Sequence, residues 1–362
     1  MPADKKEPRI LAINPGSTST KIGLFRGAEA VFAETIRHGD EEMAPFAKRP
    51  MADQLDFRLA AVRGAMEKRG EDPLALDAAV GRGGLLKALP SGTFAVNEAM
   101  LGDLREAARG DHASNLGGQL ARGLAGAAGA PAFIVDPVSV DEWPPVARLS
   151  GRKGMDRPCL SHALNTKATA KRFAREEGKR YEDLRLIVAH LGSGISVSAH
   201  ESGRMIDVTN SREEGAFSTE RAGTVPCMEL VKLCFSGKHD RKEIERMLFR
   251  EGGLFSYLGT KDFREVIRLV DGGDAEALLV FDAMAYQIAK EIGAMATALR
   301  GKAEAILLTG GMAHEKKLTA ELEKRVGWIA PVRLYPGEDE LQALAEGALR
   351  VLRGEEEAIE YA

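Results

Sequence analysis

The sequence predicts an α/β protein of two domains that repeat one architecture. Its 362 residues exceed what a single hydrophobic core usually contains. Short apolar runs typical of strands alternate with longer segments of helical periodicity along most of the chain. The turns at Pro15-Gly16-Ser17 and Leu191-Gly192-Ser193 each join two apolar runs, and a strand–helix alternation follows both. A duplicated fold explains this symmetry, although a shared preference for Gly-Ser turns would also produce it.

In the first half, residues 9–14 and 21–25 predict the strands of a β-hairpin, with 15–20 as its turn. A helix follows, with its apolar residues at Leu55, Leu59, Val62 and Met66. The remaining predictions are strands at 78–80 and 132–136 and helices at 97–109 and 115–128.

The second half repeats this order. Its predicted strands are 184–189, 195–199, 305–308 and 332–335, and its predicted helices include 163–177, 275–299 and 338–353. We expect function to lie in a cleft between the two domains.

Composition excludes several classes of protein. With 44% hydrophobic and 29% charged residues the chain is typical of a folded globular protein. The formal net charge of −4 has no basic run behind it, so nucleic-acid binding is not expected. The segment before Asn14 is too short in apolar residues for a signal-peptide core, and no run approaches the ~20 apolar residues of a membrane span. We therefore expect a cytoplasmic protein.

The three cysteines, Cys159, Cys227 and Cys234, contain no CxxC pair. A disulfide framework or zinc site is therefore not expected. Cys227 and Cys234 share one face of a predicted helix among apolar neighbours, which favours small buried side chains over reactive thiols.

Two glycine-containing turns are candidate phosphate-binding sites. The segment Asn14 to Lys21, with Gly16, Ser17 and Ser19, combines exposed backbone N–H groups, hydroxyl donors and a cation, which is what phosphate oxygens require. An ordinary polar turn would account for its Gly and Ser. It is not a GxxxxGK[ST] loop, because a strand rather than a helix follows Lys21. The corresponding turn in the second half contains His190, Gly192, Ser193 and Gly194, and Gly310-Gly311 after the strand 305–308 permits close approach to the backbone.

Charged residues at strand ends form a candidate catalytic set. They are Arg82, His112, Asp136, His162 and Arg221. Loops at strand ends carry the chemistry of α/β folds. Each of these residues alone is explained by a surface or structural position, whereas together they resemble a clamp for a phosphoryl group.

At these residues the chain resembles the acetokinase family, and most closely its butyrate kinase branch. The similar segments run nearly from end to end: ILAINPGSTSTKIGLF, DHASN at 111–115, VDPVSVDE at 135–142, HALNTK at 162–167, VAHLGSGISVSAH at 188–200 and LTGGMAHEKK at 308–317. The family belongs to the superfamily of acetate and sugar kinases, actin and heat-shock chaperones.

The resemblance implies a duplicated ribonuclease H-like (actin-like ATPase) fold. One domain would comprise 1–140 plus 341–362 and hold the first phosphate hairpin and the acid substrate. The other, 141–340, would hold the second hairpin and the adenosine pocket. A homodimer or larger homo-oligomer would also follow.

The resemblance further implies ATP or ADP with Mg²⁺ as cofactors and a short-chain carboxylate as substrate. Phosphates would be bound by Asn14, Gly16, Ser17, Ser19, Lys21, His190, Gly192, Ser193 and Gly194. Adenosine would lie against Asp262, Phe263, Arg264, Gly310, Gly311 and Met312. Catalysis would involve Arg82, His112, Asp136, His162 and Arg221, and Asp136 and Glu340 would position the metal.

Two departures from the acetate kinase pattern bear on the substrate. The strand ending at Arg82 is shorter than in acetate kinases, so Arg82 would replace the function of their residue without occupying the same position. An aromatic residue that precedes the catalytic histidine there is Ser161 here, which predicts room for a four- or five-carbon acid. The alternatives left open are a kinase of acetate, propionate or a branched acid, and a nucleotide-switched interaction protein.

Overall fold

The computed structural model describes residues 7–362, and the charged lead 1–6 lies outside the described residues. The chain divides into two compact units. Unit 1 extends to Val140 and resumes at Asp339–Ala362, whereas unit 2 is Asp141–Glu338. No helix within residues 7–362 combines the length and apolar character needed to span a bilayer.

The secondary-structure elements alternate along the chain as the sequence predicts. Up to Val140 they are β1 Arg9–Pro15, β2 Ser19–Arg26, β3 Glu29–Arg37, α1 Asp40–Met43, α2 Leu55–Lys68, β4 Ala78–Arg82, β5 Thr93–Ala95, α3 Glu98–Glu106, α4 Asn115–Ala128 and β6 Ala132–Val135. Unit 2 contains α5 Pro145–Arg148, α6 Ala163–Glu176, β7 Arg185–Leu191, β8 Ile195–Glu201, β9 Arg204–Val208, α7 Cys227–Cys234, α8 Arg241–Phe249, α9 Gly253–Leu258, α10 Phe263–Asp271, α11 Ala275–Ala298, β10 Ala305–Gly310, α12 Lys316–Val326 and β11 Val332–Pro336. The chain returns to unit 1 with α13 Glu340–Leu352 and β12 Ile359–Glu360.

The two units have sheets of the same design. The strand order is β12-β5-β6-β4-β1-β2-β3 in unit 1 and β11-β10-β7-β8-β9 in unit 2. Each sheet begins with three consecutive antiparallel strands, β1-β2-β3 in unit 1 and β7-β8-β9 in unit 2. On its other side, β1 pairs in parallel with β4, and β7 pairs in parallel with β10. A further parallel strand, β6 or β11, follows. The duplicated α/β fold predicted from the sequence is therefore confirmed.

The first strand of each sheet lies in the core. Ile10 to Ile13 of β1 are fully buried, because β2 and β4 flank the strand and α4 and α13 pack against it. In unit 2, α11 packs against β7 and β8 with Met284, Ile288 and Ile292, all fully buried. These apolar strands hold the polar residues at their ends in fixed positions.

The prediction of buried cysteines on α7 is wrong. Cys227 and Cys234 are both exposed, and no residue of α7 is buried. The apolar neighbours Met228, Val231 and Phe235 are exposed as well. The helical spacing was interpreted correctly, but within the described part of the chain no element covers this face, so periodicity alone did not imply burial.

Helix α4 approaches β4 at backbone contact. A Cβ on Gly117 would lie 2.0 Å from the main-chain oxygen of Arg82, and one on Gly81 would lie 2.0 Å from the main-chain oxygen of Gly117. Only glycine allows two backbones to pack this closely. The contact holds the end of β4, and with it the backbone of Arg82.

We expect Gly117→Ala to lower the free energy of unfolding by about 3 kcal/mol, because the new methyl group would have to displace backbone. Gly126→Ala is the matched control in the same helix, since a Cβ there would meet nothing within 4 Å. This control should be stabilising by roughly 0.5–1 kcal/mol, the helix preference of Ala over Gly. Urea unfolding measures both. Equal stability of Gly117→Ala and the wild type would contradict the contact.

Candidate active site

In unit 1, the predicted residues lie at the carboxyl ends of neighbouring parallel strands. Asn14 is near the end of β1, Arg82 is the last residue of β4, and Asp136 directly follows β6. The three strands are adjacent and parallel in the order β6-β4-β1. Parallel strands end at one edge of a sheet, so the three side chains belong to the same edge.

Glu340, the first residue of α13, joins two of these strand ends. Its Oε1 forms an ion pair with Arg82 Nη1 at 2.6 Å. The other oxygen, Oε2, accepts a hydrogen bond from Asn14 Nδ2. The carboxylate is buried, with 8% of its side chain exposed, whereas Arg82 keeps 22%. The partly exposed guanidinium is thereby oriented by a buried anion.

Asp136 is held in a sparsely populated backbone conformation, with φ at 38°. Its Oδ1 accepts hydrogen bonds from Ser91 Oγ at 2.6 Å and from the Gly92 N–H at 2.9 Å. Among residues 7–362, no group donates to its second oxygen. Such conformations occur where surrounding contacts enforce them, often at functional sites.

His112 lies in the turn before α4. Its Nδ1 accepts from the Ser114 N–H at 3.2 Å and lies 2.8 Å from Ser114 Oγ. Asn115, the first residue of α4, accepts from the Leu85 N–H through Oδ1 and donates to the Gly110 carbonyl. The DHASN motif thus links the start of α4 to the loop that follows Arg82.

The first hairpin turn, residues 15–20, presents donors to solvent. The Gly16 N–H donates to the Ser19 carbonyl at 2.8 Å, which closes the turn. Ser17, Thr18 and the side chain of Lys21 are exposed. In the described chain, the N–H groups of Ser17 and Thr18 donate to no protein acceptor, and Lys21 has no ion pair. This is the arrangement that an anion requires.

In unit 2, His162 and His190 stack. Their ring centroids are 3.8 Å apart with an interplanar angle of 13°. His190, at the end of β7, has Nδ1 3.1 Å from Asn165 Oδ1 and Nε2 3.2 Å from Glu338 Oε1. His162 precedes α6, and its Nδ1 lies 2.9 Å from Ser196 Oγ on β8. Hydrogen bonds on both rings fix their orientation.

Arg221 adjoins the second hairpin turn, residues 191–194. A Cβ on Gly194 would lie 2.6 Å from Arg221 Nη1 and 3.3 Å from His162 Cε1, so glycine is what lets both side chains approach the turn. Arg221 Nη1 donates to the Ser211 carbonyl at 2.8 Å. Within residues 7–362 it forms no ion pair, and burial lowers the pKa of its guanidinium. The cation is incompletely compensated, as an anion-binding group would be.

The residues predicted for adenosine also lie in unit 2. Asp262 caps the start of α10, and its hydrogen bonds with Arg264 lower the pKa of Asp262 to about 2. Gly310 ends β10 and exchanges two backbone hydrogen bonds with Gly337. Phe263 packs against the core cluster that contains Met312. Both segments therefore rest on one hydrophobic core.

The residues of unit 1 meet the requirements of the predicted metal site only in part. No group of three or more His, Cys, Asp or Glu side chains in the described chain is arranged to hold an ion. However, Mg²⁺ is usually held by one or two carboxylates together with phosphates and water. Glu340 is such a carboxylate, but its two oxygens are engaged by Arg82 and Asn14, so it would hold the ion through water or after exchange of these contacts.

Sequence reasoning missed Arg58 and Glu338. Arg58 on α2 is fully buried beneath the first hairpin turn, and Glu338 contacts His190. Arg58 carried a signal, because a charged residue lies on the side of α2 that Val62 and Met66 bury. Glu338 stands beside Glu340 in a run of acidic residues that offers no means of distinguishing them.

Comparison with known proteins gives the same fold. The acetate kinase of Porphyromonas gingivalis superposes with a TM-score of 0.78 at 17% identity, over 95% of this chain and 100% of that one. A propionate kinase from Francisella tularensis subsp. tularensis SCHU S4 gives 0.71 at 17%, over 94% and 98%. The acetate kinase of Entamoeba histolytica gives 0.74 at 13%, over 94% and 98%.

The sheets and the strand-end residues together define an α/β protein with two units of the same design. Residues 158–325 match the model of the acetokinase family. This segment contains His162, the second hairpin turn and Arg221.

We expect Arg82 and Glu340 to be coupled by roughly 1–3 kcal/mol in a double-mutant cycle of Arg82→Met and Glu340→Gln, because removing either charge leaves the other poorly compensated. The surface pair Arg172 and Glu176, with 53% and 49% of their side chains exposed, is the control. Its coupling should stay below about 0.5 kcal/mol. The free energy of unfolding of all variants gives both values. Equal coupling of the two pairs would show that Glu340 does not fix Arg82.

Proposed function

We propose that the protein catalyses reversible transfer of the γ-phosphoryl group of ATP to the carboxylate of butyrate or a similar short- or branched-chain fatty acid. The products are the acyl phosphate and ADP. The observation that carries the proposal is the approach of the Arg221 and His162 side chains to Gly194 in the second hairpin turn. The match of residues 158–325 to the acetokinase family model supports the reaction class.

The reaction brings two anions together, because a carboxylate is already ionised at pH 7 and attacks a charged phosphate. No strong base is needed. The enzyme has to neutralise charge and align the reacting atoms. A half-buried arginine that forms no ion pair among the described residues suits this task, because no bound carboxylate has to be displaced by the substrate. Direct in-line transfer needs no covalent enzyme intermediate.

The proposed roles follow from the contacts. Arg221 and His162 stabilise the equatorial oxygens of the transferring group, and the second hairpin turn binds phosphate through its N–H groups. The first hairpin turn and Lys21 provide further phosphate contacts. Arg82 orients the substrate carboxylate, and Asp136 and His112 support the same end of the reaction.

Magnesium, when bound, neutralises phosphate charge. We assign the positioning of the ion to Asp136 and Glu340, and Asn14 remains assigned to phosphate. The Asp136 oxygen that accepts from no described group is the one available for this purpose. Asp262 to Arg264 and Gly310 to Met312 are proposed to bind adenosine.

The preference for butyrate rests on the similarity to the butyrate kinase branch and on Ser161. Ser161 is buried, with its Oγ 3.8 Å from Met205 Sδ. A small residue there, where acetate kinases carry an aromatic one, leaves space beside His162. Acetate and propionate remain the competing substrates.

We expect a hydroxamate assay with MgATP to detect acyl phosphate from butyrate or isobutyrate at higher kcat/KM than from acetate. Propionate and valerate complete the series, and omission of ATP is the blank. Highest kcat/KM with acetate or propionate would reassign the substrate within the same reaction. No product from any of the five acids would refute the proposed function.

Arg221→Ala should reduce kcat at least ~10²-fold, on the scale of removing one transition-state donor. Arg241→Ala is the control, because Arg241 is a fully exposed arginine of the same unit with 91% of its side chain accessible. Its kcat should match the wild type. Near-normal turnover of Arg221→Ala, with a native circular dichroism spectrum, would remove Arg221 from the mechanism.

A further inference from the structure

Arg58 is a fully buried cation directly behind the first hairpin turn. Its Nη1 donates to the Ser19 carbonyl at 2.9 Å and to Thr20 Oγ1 at 3.0 Å, and its Nη2 donates to the Ser17 carbonyl at 3.0 Å. The remaining two donors reach Gln54 Oε1, from Nε at 3.0 Å and from Nη2 at 2.8 Å. Every N–H of the guanidinium therefore has a partner.

None of these partners carries a negative charge. Within residues 7–362 Arg58 forms no ion pair, so only carbonyl and hydroxyl dipoles compensate its charge. Burial lowers the pKa of Arg58 to about 10, which still leaves the group protonated at neutral pH. Burying a cation without an anion is costly, and such an arrangement is unusual unless the charge serves a purpose.

The surrounding groups do not supply that anion. Thr20 Oγ1 accepts from Arg58, so its proton is directed to His38 Nε2 at 2.9 Å. His38 accepts this bond as a neutral imidazole, and burial together with Arg58 lowers its pKa. The backbone N–H of His38 donates to the Thr18 carbonyl at 3.0 Å.

As a result, the turn has a defined polarity. The carbonyls of Ser17, Thr18 and Ser19 all accept from donors of unit 1. The N–H groups of Ser17 and Thr18, in contrast, have no acceptor in the described chain. A turn whose carbonyls are tied back and whose N–H groups are unused presents a positive face to an anion.

We infer that Arg58 is a positioning residue for phosphate binding at the first hairpin turn, fixing the carbonyls of Ser17 and Ser19 and placing an uncompensated positive charge behind the N–H donors. The inference rests on the proposed function, in which this turn binds nucleotide phosphate. Arg58 does not touch the phosphate. It acts through the backbone of the turn and through its charge.

The test compares the affinities of ATP and of adenosine by isothermal titration calorimetry. Arg58→Met removes both charge and hydrogen bonds and should weaken ATP binding about ten-fold or more, the scale of hydrogen bonds that involve a charged group. Adenosine affinity should stay within about two-fold, because adenosine lacks the phosphates that the turn would bind. Arg58→Lys keeps the charge but not the planar fork, so its loss of ATP affinity should be intermediate.

Arg63→Met is the matched control. Arg63 lies on the same helix and is only half-buried, and its one hydrogen bond is a 3.5 Å contact with the Gly123 carbonyl. Its ATP affinity should equal that of the wild type. ATP affinity of Arg58→Met within about two-fold of the wild type, or equal losses for ATP and adenosine, would overturn the inference. If Arg58→Met does not fold, the same comparison with Arg58→Lys decides. Failure of the wild type to bind ATP would instead refute the proposed function.

Discussion

The first strand of each sheet, β1 or β7, is the constraint on which the rest of the molecule depends. β1 pairs with β2 in antiparallel and with β4 in parallel orientation, and β7 does the same with β8 and β10. With both edges hydrogen-bonded and both faces apolar, these strands have one favourable register. Asn14 and His190, near their carboxyl ends, are therefore placed by the core rather than by the loops around them.

The same architecture explains how residues far apart in sequence become partners. Arg82 ends a strand, Glu340 begins a helix that packs on that sheet, and the two meet only because α13 returns to unit 1. The glycine contact between α4 and β4 fixes the backbone of Arg82 from another direction. The glycine contact thus fixes the backbone of Arg82, and the ion pair with Glu340 fixes its side chain. Together they orient the guanidinium more precisely than either contact would alone.

Most of the fold was predictable because its signals are local. Alternation of apolar strands and periodic helices, together with glycine turns, predicted the bounds of α4 and α11 to within one residue. The exposed cysteines of α7 and the buried Arg58 were not predictable in the same way. In both cases periodicity identifies a helix face, whereas burial depends on which distant element covers that face. The partners of Arg58 are 38 to 41 residues away for Thr20 and Ser17, beyond the reach of any local pattern.

The arginines of the candidate sites differ in how completely their charge is compensated. Arg82 has a buried carboxylate partner, Arg221 has only the main-chain and side-chain oxygens of Ser211, and Arg58 has only neutral acceptors. A carboxylate beside Arg58 or Arg221 would stabilise the empty protein, but it would also repel an incoming phosphate. In the proposed function, two cations that form no ion pair among the described residues lower the stability of the free protein, and a bound phosphate would recover that free energy. The net charge of −4 does not reveal which arginines lack an anionic partner. The affinity of a site for phosphate depends on the charges close to that site and not on the sum over the chain.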